Sequence, residues 1–147
     1  MKKIVIACSL LMGLTFQACS KDDSLSKSEM LCKESWILDK AYIGISGEEE
    51  GSLDFFYDSC ALDDLITFYK DGIVVREDNI DLCGGVPLET DGDWSFSDGA
   101  GELTFPLEVT TNTYTIEKLN NKVLILSDVV SFMGVVSIMN IEFVHED

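Results

Sequence analysis

The 147-residue sequence contains a single histidine, His145, close to its C-terminus. A Ser-His-Asp or Cys-His centre therefore has no base inside the fold, and no two imidazoles exist to hold a catalytic zinc. Basic residues are also scarce, 10 against 27 acidic, and the resulting net charge of −17 repels nucleic acid and anionic lipid headgroups. No apolar run approaches the ~20 residues that span a hydrocarbon core as a helix. Helical periodicity, a glycine-rich phosphate loop ahead of a helix, and Cys-x-x-Cys spacing are all missing. Proline occurs only at Pro87 and Pro106, both in expected connections between strands. What is present is a 46% hydrophobic chain with scattered acids, which suits one folded domain. Asp63 and Asp64 are adjacent, so a strand points them to opposite faces and they do not form a catalytic pair. The acidic stretches Glu48-Glu49-Glu50 and Glu89-Thr90-Asp91-Gly92-Asp93 do not match a calcium loop and read as solvated. The expectation is a protein that is not an enzyme and needs no cofactor and no metal.

The N-terminus reads as an export signal. Met1, Lys2 and Lys3 are followed by an uncharged apolar run over residues 4–14, and residues 15–18 lead to Cys19. Phe16-Gln17-Ala18-Cys19 resembles the lipobox of bacterial lipoproteins, which implies cleavage before Cys19 and acylation of that cysteine, palmitate included. Val5-Ile6-Ala7-Cys8 matches locally, but too few apolar residues precede Cys8 to form a signal core. Cys19 followed by Ser20-Lys21-Asp22-Asp23 resembles the surface-export signal of Bacteroidota lipoproteins, which implies lipid anchoring in the outer membrane with exposure at the cell surface. Three segments follow: a signal peptide over 1–18, the lipidated cysteine and polar tether over 19–34, and a folded domain over 35–147. Losing the signal leaves 8 basic against 27 acidic residues, so only the acyl chains, at about 0.8 kcal/mol per buried CH₂, attach the chain to a membrane.

Cys32, Cys60 and Cys83 remain in an oxidising compartment, one pair and one thiol. Residues 64–70 and 73–80 read as strands joined by a two-residue Asp71-Gly72 turn, which sets Lys70 opposite Ile73. Stepping outward pair by pair from that turn brings Cys60 opposite Cys83. The expected bridge Cys60–Cys83 closes the hairpin's open end and stabilises by roughly 3.5 kcal/mol in a chain-entropy account. Cys32 is left as a small apolar thiol.

Alternating apolar and polar residues recur with turn signals between them. Strands are expected over 36–43, 64–70, 73–80, 89–96, 102–105, 113–119, 122–128 and 135–144. A symmetric turn through Ser97-Asp98-Gly99-Ala100-Gly101 sets Phe96 against Leu103 and Trp94 against Phe105, all on one core face. Asn120-Asn121 is expected to be a φ-positive turn pair. The fold class is therefore all-β: an eight-stranded antiparallel up-and-down barrel, with a two-sheet β-sandwich as the alternative. The turns near residues 71, 99 and 120 lie at one tight end. Segments 44–63, 81–88, 106–112 and 129–134 form a loop-rich end, away from the tether.

Trp36-Ile37-Leu38, the run from Cys60 to Asp71-Gly72, Cys83, Gly92-Asp93-Trp94-Ser95-Phe96 and Leu103-Thr104-Phe105 together resemble bacterial lipocalin-like lipoproteins, over residues 31–144. That resemblance implies a lipocalin-like barrel with a cavity for a small apolar or amphipathic ligand. The candidate binding residues are Trp94, Phe96, Leu103 and Phe105 inside the barrel and Phe55, Phe56 and Tyr57 in the loop-rich end. The competing expectation is a filled barrel serving as an interaction module, with acidic aromatic loops that dock a glycan or a protein. Phe132 and Met133 share that loop-rich end.

Overall fold

The structure, a computed structural model, describes residues 25–43, 59–82, 85, 89–107, 110–132 and 134–145. Ser26 caps a short helix, α1 (Lys27–Leu31), through a capping box in which Glu29 returns a bond to the Ser26 backbone. The strands are β1 (Trp36–Ile43), β2 (Leu65–Phe68), β3 (Ile73–Glu77), β4 (Glu89–Asp93), β5 (Ser95–Phe96), β6 (Glu102–Pro106), β7 (Thr111–Leu119), β8 (Val123–Phe132) and β9 (Val135–His145). A 3-10 turn over Ser59–Ala61 precedes β2. All strand pairs are antiparallel, in the order β4-β3-β2-β1-β9-β8-β7-β6-β5.

That order closes on itself. The two edge strands, β4 and β5, are separated only by Trp94 and form one run of chain. The expected up-and-down barrel is therefore present, and the two-sheet alternative is not. The strand count is nine rather than eight, because the fourth expected strand changes partner at Trp94. Its backbone N–H donates to the Gly72 carbonyl at 2.8 Å and its indole N–H to the Tyr69 carbonyl at 2.8 Å. Residues before Trp94 pair with β3, and residues after it pair with β6. At this seam β4 passes so close to the end of β6 that a Cβ on Gly92 would lie 2.5 Å from Pro106 Cγ.

Two turns differ from expectation. In the β2–β3 hairpin Tyr69 opposes Ile73, with Gly72 at φ +93°, so the loop has three residues and not two. A type I turn followed by a left-handed glycine needs only one positive φ, whereas the two-residue turn also needs one at Asp71. Phe68 thus pairs with Val74 and Ile66 with Arg76, one residue out of the expected register. At Asn120 neither asparagine has positive φ; the Asn120 side chain instead accepts the Lys122 and Val123 N–H groups at 2.9 and 3.0 Å. The expected loop over 129–134 is also corrected. β8 and β9 stay paired out to Phe132 and Val135, and Gly134 at φ +79° supplies the reversal.

The core contains Trp36, Phe68, Leu103, Phe105, Leu124, Leu126, Ile141 and Phe143, all essentially inaccessible. The tight end is sealed by α1, where Leu31 is fully buried and its carbonyl accepts the Trp36 indole N–H at 2.9 Å. This helix forms within the stretch read from sequence as tether. Its signal is a capping box rather than a periodic apolar face, and it is too short to show one.

Candidate functional site

The site lies where β2 begins and β3 ends. Asp64 precedes β2 on the side shared by Ile66 and Phe68, and Arg76 shares the inward face of β3 with Val74. Arg76 Nε donates to Asp64 Oδ2 at 2.6 Å, and Arg76 donates again to the Leu107 carbonyl at 3.0 Å. The carboxylate is 2% exposed, while the Arg76 side chain keeps about a quarter of its surface in solvent. Asp64 Oδ1 is buried without a hydrogen-bond partner among the described residues. Burial pushes the Asp64 carboxyl above its ordinary pKa; Arg76 pulls it down, and Asp78 and Asp63 add to the rise.

Around this pair the barrel mouth forms a recess lined by Leu38, Ala61, Ile66, Leu107 and Phe143. It is shallow and nearly filled by its own side chains, with room inside for about one water-sized body. That space is about enough for one ordered water. The arrangement is an apolar recess whose lining includes the Asp64–Arg76 ion pair.

Asp63 and Asp64 diverge to different partners just before β2 begins. Asp63 Oδ2 turns outward to accept the Ile80 and Asp81 N–H groups at 2.7 and 2.9 Å. Cys60, three residues earlier, is disulfide-bonded. Its expected partner Cys83 lies outside the described residues, as do Cys19 and the loop residues Phe55, Phe56 and Tyr57. The register argument for Cys83 does not hold, because the hairpin is offset by one residue and β3 ends at Glu77. Cys32 is a free thiol packed against the core, and burial raises its pKa.

Leu103 and Phe105 are fully buried, with Trp94 and Phe96 partly buried against them. Phe96 pairs with Leu103 as the turn symmetry required, and Ser95 with Thr104. These side chains fill the interior through a run of edge-on and tilted ring contacts. Trp94 meets Phe96 at 5.3 Å and Phe68 at 5.7 Å, and Phe105 meets Phe68 at 5.2 Å and Tyr114 at 5.3 Å. None of the four lines the recess. Sequence reasoning missed Arg76, Leu107 and Ala61. The one signal available was an arginine in an otherwise apolar strand, Ile73-Val74-Val75-Arg76.

At the tight end His145 stacks on Trp36 with ring centroids 3.9 Å apart, and its Nδ1 lies 3.0 Å from the Ser35 carbonyl. A carbonyl can only accept, so Nδ1 carries the proton in this contact. The imidazole serves as a lid on the core tryptophan.

The fold and recess together define a small up-and-down barrel with a filled interior and a polar-ended mouth. No family model matches the sequence, and no curated protein is similar to it. Among solved structures, bovine odorant binding protein in complex with a selenium-containing odorant is similar at 14% identity and a TM-score of 0.44. That match covers 86% of this chain and 77% of the bovine one.

Proposed function

We propose that this chain is a lipid-anchored binding protein, exposed at the outer-membrane surface, that takes a small amphipathic ligand at the loop-rich mouth of its barrel. The carrying observation is the recess itself, in which five apolar side chains surround a carboxylate whose Oδ1 is buried without a partner among the described residues. An unpaired buried acceptor costs about 1–3 kcal/mol, which a ligand donor recovers on binding. The anchor is Cys19, acylated after signal cleavage, and the Cys60 bridge runs to Cys83, beside the Asp63 contacts that hold residues 80 and 81. Surface glycans and proteins belong to the competing reading.

The test is native mass spectrometry of the mature chain extracted from its membranes without denaturation. A discrete extra mass of small-molecule size, lost on denaturation and absent from Ala61→Phe, supports the reading. A bare protein mass that stays bare after incubation with lipid and small-molecule extracts overturns it. In the same samples, Cys19 is expected to carry acyl chains, and a peptide joining Cys60 to Cys83 is expected before reduction only.

A further inference from the structure

The far part of the β8–β9 hairpin leaves the barrel wall. β8 is registered with β7 only as far as Thr115–Ser127, although β7 runs back to Thr111 and pairs there with β6. On the other side β9 is registered with β1 only as far as Ile43–Met139. From Val129–Ile138 to Phe132–Val135 the two strands continue as a ribbon of four pairs, flanked by no third strand among the described residues. The Val129 N–H donates to the carboxylate of its neighbour Asp128 at 2.7 Å rather than to another strand. Leu126 and Ile141 face the core, so Val129 and Ile138 oppose each other on the outward face, with Val136 diagonal to Val129. These three side chains keep 68%, 53% and 70% of their surface in solvent. Residues 129–141 carry no charge, in a chain a quarter of whose residues are charged.

A two-stranded ribbon is marginally stable alone in water, and an apolar strand with an unpaired edge is a template for a further strand. A basic partner finds no acid to meet between Asp128 and Glu142. A bilayer suits the side chains, but the ribbon's turn lies at the end of the barrel opposite α1, through which the N-terminal chain enters. The ribbon is also the stretch on which two copies of a chain of net charge −17 approach with little repulsion. We propose that its partner is a second copy of this chain, joined by antiparallel pairing of the two β8 edges about a twofold axis. The product is a four-stranded ribbon whose outward face carries Val129, Val136 and Ile138 from both copies. This inference goes beyond the ligand reading and does not depend on it.

Sedimentation velocity of the mature chain carrying Cys19→Ser, which stays free of lipid, tests it. An interface of one hairpin per copy lies at the small, transient end of the range. A species of twice the monomer mass is therefore expected, with a dissociation constant on the order of 10–100 µM. Raising the salt to about 0.5 M screens the like charges and is expected to favour the dimer. Val129→Glu and Ile138→Glu, which set like charges against each other in the paired copies, are expected to weaken it at least about tenfold. Ile80→Glu, at an exposed apolar residue off the ribbon, is expected to leave it unchanged. All three positions are solvent-exposed, so the variants keep the fold, as circular dichroism checks. A chain that stays monomeric at several times that concentration in high salt overturns the inference. So does a dimer that Val129→Glu leaves intact or that Ile80→Glu dissolves equally. Flotation with phosphatidylcholine vesicles that Val129→Glu abolishes, with no dimer in solution, assigns the ribbon to a bilayer and overturns the second copy.

Discussion

Gly92 sits where the barrel closes, and replacing it with alanine tests that closure. An ideal Cβ there lies 2.5 Å from Pro106 Cγ and 3.2 Å from Cδ. Carbon atoms prefer about 3.5–4.0 Å, so the two strands must separate by about 1 Å or the ring must move. The ring cannot rotate away, and Pro106 is registered against Thr111 in β7. Forced overpacking of this kind costs about 1–3 kcal/mol, and reduced freedom of the unfolded chain offsets about 0.4–1 kcal/mol of it. Gly92→Ala is therefore expected to destabilise by about 1–2 kcal/mol in urea unfolding, with an unchanged slope. Gly101→Ala is the control: nothing lies within 4 Å of its Cβ position and its φ is not positive, so it should gain about 0.4–1 kcal/mol. Pro106→Ala combined with Gly92→Ala should recover most of the loss, since the two residues are in contact. If Gly92→Ala matches Gly101→Ala in stability, the close approach of β4 and β6 is wrong and the barrel is open at Trp94.

Three further outcomes follow from the same geometry. Ala100 holds φ +51° without being glycine, so Ala100→Gly should stabilise by up to about 1 kcal/mol, measured by urea unfolding; its carbonyl, which accepts Lys27 Nζ, is retained. Arg76→Met strands a buried carboxylate and should cost about 3–5 kcal/mol at neutral pH. Because burial raises the Asp64 pKa, the protonated form is the one the fold prefers. Its contribution is full below the ordinary 3.8 and is lost as pH rises through the raised folded value, so the Arg76→Met penalty should shrink on acidification. A penalty that grows as pH falls from 7 to 4 contradicts this. Cys32, raised by burial, should react with iodoacetamide at neutral pH well below the rate of an unfolded control, and equal rates refute its packing against the core.

Much of the fold was legible in local pattern. β1 occupies the stretch that alternation indicated, and the Ser97–Gly101 turn was symmetric enough to set Phe96 against Leu103. The other strands were located to within a few residues at each end. The binding end was less legible. Arg76 reads as outward if the β2–β3 turn has two residues and inward if it has three, because a one-residue slip exchanges the faces of a strand. Asp71-Gly72 is compatible with both turns, and the conformation adopted places a positive φ on the glycine alone.

By itself, then, the sequence determined the all-β class and the strand positions to within a few residues. These follow from side-chain period and turn chemistry, which act over a few residues. Only the tertiary structure decided that Trp94 hands the chain from β3 to β6, that Gly92 meets Pro106, and that Asp64 and Arg76 face each other inside the mouth. Each of these joins residues whose meeting depends on strand register around the closed barrel, a quantity no local window contains.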